Sequence, residues 1–289
     1  MGSPDPHAPA AAADDDRFEW ATVRMSDGVE LFVARYRVER PRAVIVATHG
    51  LQSHHGWYGW SCRFLQDAGY EVWFVDRRGS GRSGGPRGHV RSVERLVADL
   101  FTVRAAIATE RPCVLMAVCW AAKMALATTA AHPDAFDALI LPYPALRTRF
   151  DPSLRQRGLL WLARWAGLAR RQVVTPLRPE HFSNQMPARR FIEDDPLSSR
   201  VMSLCLAAVD RELAKRLPDL LDAVAQPTLA LLSGRDAIVR NDNVRALLSR
   251  SPQVAIRDVE GAAHVLEFEP DREAIFRGID GWLHQTLGV

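Results

Sequence analysis

The sequence predicts an α/β protein: a mostly parallel sheet with helices on both faces and one irregular insertion. Three observations carry this. Short strand-like runs alternate with helical patterns along most of the chain. The central runs, such as Ala43-Val44-Ile45-Val46-Ala47 within 42–48, are continuously apolar, as strands covered on both faces are. The alternation fails only between about residues 144 and 206.

Taken in order, residues 1–17 are rich in Pro, Ala and Asp and cannot bury enough apolar surface to offset their ordering entropy, so they are expected to form a flexible tail. They lack a charged stretch followed by an apolar one, so no secretory signal is expected and a cytoplasmic location is. Residues 18–289 then read as one domain. Strands at 18–25 and 30–38 meet through Ser26-Asp27-Gly28, whose Asp-Gly pair suits a tight hairpin. There follow strand 42–48, helix 56–68, strand 71–75, helix 93–109, strand 113–118, helix 120–131 and strand 138–141. Beyond the insertion come strand 228–232, helix 241–249, strand 253–259 and helix 271–287. In such a sheet, function sits in the loops past the C-terminal ends of the strands.

The insertion, 144–206, is Arg-rich and aromatic, with an amphipathic helix predicted at 154–169 and a loop at 176–187. Its position makes it a candidate cap over the site. The apolar face of the 154–169 helix, with Trp161 and Trp165, is the candidate substrate-binding surface. Contact of this basic amphipathic segment with a membrane is the less favoured alternative.

Composition narrows the function. At 47% hydrophobic and 25% charged, the 289 residues match a globular protein, and a net charge of +3 without a basic run gives no reason to expect nucleic acid as a partner. Four cysteines, Cys62, Cys113, Cys119 and Cys205, form no CxxC pair, so neither a disulfide framework nor a metal site is expected. No cofactor is called for.

One cysteine stands apart by context. In Leu115-Met116-Ala117-Val118-Cys119-Trp120-Ala121-Ala122-Lys123 a buried strand meets a small-residue helix with Cys119 between them. That is the setting of a nucleophile elbow, whose flanking positions, here Ala117 and Ala121, must be small because two backbones pass close together. A literal G-x-S-x-G occurs at Gly81-Arg82-Ser83-Gly84-Gly85, but it runs into Pro86-Arg87-Gly88 instead of a helix. Ser83 is therefore rejected as nucleophile. Cys62, Cys113 and Cys205 read as ordinary apolar side chains.

A nucleophile needs a base and an orienting acid, and in this arrangement the chain order is nucleophile, acid, histidine. Asp236 follows the strand Thr228-Leu229-Ala230-Leu231-Leu232-Ser233, and His264 follows the last strand in a small-residue loop. Both stand where they can reach the functional edge of the sheet. An acyl-transfer oxyanion also needs two N–H donors. The backbone amides of Trp120, directly after the thiol, and of Leu51, in the loop after the first buried strand, are the candidates. His49, His54 and His55 are expected to shape that loop, Asp76 to hold its Gly-rich run, and Glu267 and Glu269 to lie on the solvent side near His264.

These residues carry a resemblance. The stretch THGLQSHHGWYGWSCRFLQDAGYEVWFVDRRGSGRSGGPRGHV resembles the monoacylglycerol lipase-like, or serine aminopeptidase-like, branch of the α/β-hydrolase superfamily, with its HG-x-x-x-H loop and D-x-RG-x-GRS-x-GPRGH run. DDPLSSRV, LLSGRDAIV and EGAAHVLEFE match later landmarks, so the likeness runs from about residue 18 to 289. It implies an eight-stranded hydrolase sheet with a helical cap, Asp236 and His264 as triad acid and base, and Leu51 and Trp120 as oxyanion donors. The departure is at the nucleophile, where the family pattern Gly-x-Ser-x-Gly becomes Ala117-Val118-Cys119-Trp120-Ala121.

A thiol beside a histidine and a helix N-terminus can react as thiolate, and its acyl product is a thioester, open to amines and thiols as well as water. The sequence therefore predicts a Cys119–His264–Asp236 enzyme acting on a small-molecule acyl ester or thioester with an apolar acyl group. Release by hydrolysis is the first reading. Transfer to an acyl acceptor or carrier protein, as in an acyltransferase or cyclase, is the second, and a non-catalytic binding module that retains the fold is the third.

Overall fold

The computed structural model describes residues 17–151 and 168–289. Eight strands form one sheet in the order β1-β2-β4-β3-β5-β6-β9-β10. They are β1 (Glu19–Arg24), β2 (Glu30–Tyr36), β3 (Val44–Thr48), β4 (Glu71–Val75), β5 (Cys113–Ala117), β6 (Ala138–Pro142), β9 (Thr228–Ser233) and β10 (Val254–Val259). A separate pair, β7 (Gln172–Val174) and β8 (Val201–Ser203), lies within the insertion. From β4 to β10 every neighbouring pair is parallel, and β2 alone is reversed, pairing antiparallel with both β1 and β4.

Burial explains the order. Every residue of β3, β4, β5, β6 and β9 is buried, so these central strands must be apolar on both faces. The edge strands β1 and β10 mix half-buried and exposed positions, and polar side chains appear there. Helix α1 (Gly59–Asp67) packs against the C-terminal helix Arg272–Leu287. Helices α2 (Val93–Ala105) and α3 (Ala121–Ala131) pack together and against the long helix Leu204–Asp222. The predicted turn at Gly28 is present, with φ +82° and Met25 N–H donating to Val29 O at 2.8 Å.

The insertion differs from its sequence reading in part. The predicted loop at 176–187 contains a short helix, Pro179–Phe182, and runs into a second, Met186–Asp194. Each carries a proline in its first turn, where the missing N–H has no partner to lose and the fixed φ favours helix. The sequence reading assigns no helix to Leu204–Asp222, although its buried stripe Leu206, Val209, Leu213, Leu217 and Leu221 keeps a helical period through Pro218. The predicted helix 154–169, with Trp161 and Trp165, falls almost entirely outside the described residues, as does the predicted N-terminal tail.

Register sets the site. Thr48 of β3 pairs with Ala117 of β5, so the loop that begins at His49 and the turn at Cys119 leave the sheet side by side. Ser233 of β9 pairs with Val259 of β10, which brings the Asp236 and His264 loops together at the same edge. Among the described residues no helix is long and apolar enough to cross a membrane.

Candidate active site

Cys119 sits between the end of β5 and the start of α3 with φ +55°, one of two non-glycine residues with positive φ among those described. A left-handed backbone at a residue with a Cβ costs roughly 1–2 kcal/mol and persists only where the surroundings enforce it. The surroundings here are explicit. Cys119 N–H donates to Pro142 O at 3.0 Å, and Cys119 O accepts from Ala122 and Ala145 N–H at 3.2 and 3.0 Å. Ala117 and Ala121 on either side are fully buried. The turn holds the thiol up at the end of the sheet, 7% exposed.

His264 Nε2 lies 3.1 Å from Cys119 Sγ, and His264 Nδ1–H donates to Asp236 Oδ2 at 2.7 Å. Asp236 Oδ1 accepts from Ile238 and Val239 N–H, both at 2.8 Å, which locks the carboxylate. Burial opposes ionisation of Asp236, but the His264 charge and these hydrogen bonds outweigh it and hold its pKa below the usual value. Burial likewise opposes a charged His264, yet the Asp236 carboxylate and the Cys119 sulfur raise its pKa to about 10. The three groups form one hydrogen-bonded chain that the structure assembles from three separate loops.

The loop after β3 approaches the thiol closely. A Cβ at Gly50 would stand 3.1 Å from both Cys119 Cβ and Sγ, so a side chain here would crowd the sulfur. Arg77 holds that loop in place: its Nε donates to His49 O at 3.0 Å and its Nη2 to Gly50 O at 2.6 Å, while its guanidinium lies 4.9 Å from the Trp120 ring centre. His49 is the neutral tautomer by its partners, with Nε2 accepting from Arg77 N–H and Nδ1–H donating to Gly50 O. Burial lowers its pKa well below the usual range. The amide N–H groups of Leu51 and Trp120 have no acceptor among the described residues, and both residues line the cavity around Cys119.

That cavity holds about 770 Å³. Cys119 and His264 form part of its wall, and most of the rest is apolar, including Leu51, Phe150, Leu177, Phe182, Met202 and Ile238. Two polar exceptions stand out. One is Tyr143, whose ring packs edge-on to His264 with centres 4.8 Å apart and whose hydroxyl donates to Glu267 Oε2 at 2.8 Å. The other is the group Trp120, Lys123 and Asp210.

Glu267 and Glu269 require correction. Neither faces solvent: Glu267 is 1% exposed and Glu269 8%. Glu269 accepts from Ala263 N–H at 3.1 Å and braces the His264 loop, and burial raises its pKa. Burial pushes Glu267 up to about 7 against the Tyr143 hydrogen bond and the His264 charge. The short 3-10 turn Leu266–Phe268 folds these side chains inward, and single-residue polarity cannot show that. Tyr143 was also missed, although its position just past the end of β6, at the functional edge, was available as a signal.

Ser83 is structural. Its hydroxyl donates to Asp76 O and accepts from Phe32 N–H at 2.8 Å, far from His264 in the hydrogen-bond network. Asp76 accepts from His55 and Arg82 N–H at 2.6 and 2.8 Å, and so ties the histidine loop to the Gly-rich run. His54 bonds Asp195 at 2.9 Å and His55 bonds Tyr36 at 2.9 Å. Cys62 and Cys113 are buried in the core, and Cys205 is half-buried. Among the described residues no three His, Cys, Asp or Glu side chains are placed to hold a metal ion.

Fold and edge loops together define an α/β-hydrolase of the lipase and esterase type. The profile of the Hydrolase_4 family, described as serine aminopeptidase S33, matches residues 39–271, and the chain belongs to that family. The monoacylglycerol lipase of Mycolicibacterium smegmatis is 25% identical over 254 residues, covering 86% of this chain and 90% of that one. The crystal structure of the Paleococcus ferrophilus monoacylglycerol lipase superposes with a TM-score of 0.78 at 24% identity, covering 88% of this chain and 99% of that one. A soluble variant of the Saccharomyces cerevisiae monoglyceride lipase, solved with a substrate analogue, gives 0.79 at 17% identity, covering 96% and 98%.

Proposed function

We propose that this protein is an acyl-processing enzyme in which Cys119 is the nucleophile, His264 the base and acid, and Asp236 the orienting carboxylate. The observation that carries the reading is the unbroken chain Sγ to Nε2 at 3.1 Å and Nδ1 to Oδ2 at 2.7 Å, set at the wall of a largely apolar cavity. The thiolate attacks the carbonyl carbon of an ester or thioester, and the carbonyl π electrons move onto oxygen. The amides of Leu51 and Trp120 receive that oxyanion, a contribution of roughly 3 kcal/mol each. Collapse forms the acyl-thioester on Cys119 and expels the alcohol or thiol, which takes its proton from the His264 imidazolium. Water then gives a proton to His264 as it attacks the thioester, and the acid leaves with Cys119 again a thiolate beside imidazolium.

The cavity lining suits an apolar acyl chain, and the monoacylglycerol lipases among its relatives support a lipid ester as substrate class. The segment 144–206 supplies Phe150, Leu177, Phe182 and Met202 to the wall and acts as the cap. Sulfur in place of oxygen favours a second outlet: a thioester passes its acyl group readily to an amine or thiol, so acyl transfer competes with hydrolysis.

The test is intact-mass measurement after exposure to an octanoyl thioester. The expected result is one octanoyl adduct on wild-type protein, lost in Cys119→Ala and slowed in His264→Ala. A thiol that stays unlabelled while the fold is intact would overturn the reading and leave a binding module.

A further inference from the structure

Three side chains make a polar island in the largely apolar wall. Asp210, on the helix Leu204–Asp222, accepts from Trp120 Nε1–H and from Lys123 Nζ, each at 2.7 Å and both at Oδ1. All three residues line the cavity that holds Cys119. The Lys123 side chain is 1% exposed and that of Asp210 is 21% exposed. Asp210 Oδ2 has no hydrogen bond to the described residues, and two of the three Lys123 ammonium protons are equally uncommitted. A desolvated ion pair of this kind adds little net stability over apolar side chains of the same volume, so packing alone gives no reason for it.

We propose that this island is a recognition site for one hydroxyl group on an otherwise apolar acyl chain. This rests on the proposed acyl chemistry at Cys119 and names its substrate class. A hydroxyl both donates and accepts, so it can donate to Asp210 Oδ2 and accept from Lys123 Nζ without disturbing the charge balance of the pair. An anionic group would face Asp210, and a cationic one would face Lys123. A polyol would need a donor and an acceptor for each hydroxyl, and the other polar side chains of the wall are paired with one another, Thr148 with Asp151, Gln52 with Thr175 and Tyr58 with Ser53. Lys123 stands four residues after the thiol, about 6 Å along the helix axis. Trp120, which joins the island through its indole, also carries an oxyanion-donor amide in the proposed mechanism. The hydroxyl would therefore be read close to the reacting carbonyl, where its fit affects the transition state as well as binding.

The experiment compares octanoyl with 2-, 3-, 6- and 8-hydroxyoctanoyl N-acetylcysteamine thioesters by kcat/KM. In parallel, the corresponding methyl esters are titrated calorimetrically against Cys119→Ala protein, which reads the pocket without turnover. The expected result is a preference of about tenfold or more for at least one hydroxylated chain in both measurements. Asp210→Asn keeps the Oδ1 acceptor for Trp120 but turns the second oxygen into a donor. It should bring that preference to about one, read as the ratio of hydroxylated to plain octanoyl kcat/KM on the same variant. The Lys123→Met/Asp210→Asn double variant should do the same, with melting curves confirming the fold. Equal handling of plain and hydroxylated chains by the unsubstituted island, or a preference that survives both variants, overturns the inference. If instead no thioester labels Cys119 while the calorimetric preference is present and lost in Asp210→Asn, the acyl chemistry fails and the hydroxyl site stands.

Discussion

Two stretches of this chain compete for one motif. Gly81-Arg82-Ser83-Gly84-Gly85 has the letters of a nucleophile elbow, and Ala117-Val118-Cys119-Trp120-Ala121 has its backbone. In the first, Gly81 has φ +51° and a Cβ there would collide with the Asp76 carboxylate and with His54, so only glycine fits, and the serine is bound on both sides to main chain. In the second, a strand ends, one residue turns left-handed, and a helix begins under a histidine. The difference teaches that glycine marks where a backbone is crowded, and crowding has more than one cause. At 81–85 it comes from a loop folding on itself, at 117–121 from a strand and helix passing each other. There alanine suffices.

Five variants bear on this comparison, from the largest effect down, the first two taken as a pair. Cys119→Ala should lower thioester turnover by about a thousandfold or more. Ser83→Ala should leave turnover within about threefold yet cost about 1–3 kcal/mol, because the buried Phe32 N–H loses its acceptor. Kinetics and thermal melts on the pair separate the two stretches, and a large kinetic loss in Ser83→Ala would erase the distinction drawn here.

Asp236→Asn should reduce kcat by roughly 10²- to 10⁴-fold. It should also move the alkaline limb of the kcat/KM profile to lower pH, because the carboxylate is what raises His264 to about 10. An unchanged limb would mean that another group holds the imidazolium.

Glu267→Gln tests the buried acid behind Tyr143. Burial raises the folded-state value from 4.5 to about 7, so the folded protein binds the proton more tightly than the unfolded chain does. Wild type therefore loses stability as pH rises through this window, and the penalty is complete above about 7. Relative to wild type, the glutamine variant should gain on the order of 3 kcal/mol between pH 4 and pH 8. Paired melting curves across that range check it, and parallel curves would refute it.

The smallest effect concerns the elbow backbone. With φ at +55°, Cys119→Gly should be more stable than Cys119→Ala by about 1 kcal/mol, since glycine adopts this region without a Cβ clash. Equal melting temperatures would mean that the turn carries no strain.

Much of this was legible in one dimension. The apolar runs announced the buried strands because a strand covered on both faces has no polar face to show. The order of Cys119, Asp236 and His264, each just past a strand, placed them at one edge before any distance was known. The helices of the insertion were less legible, since proline served as a helix start at Pro179 and Pro187 where a loop was expected.

What the sequence alone determined is the set of chemical groups and the elements that carry them, because strand burial and chain order are local or periodic properties. What only the tertiary structure decided is which groups meet. The inward turn of Glu267 onto Tyr143 and the convergence of Trp120 and Lys123 on Asp210 join residues 124, 90 and 87 positions apart, and a contact across such a separation is set by packing, with no trace in local pattern.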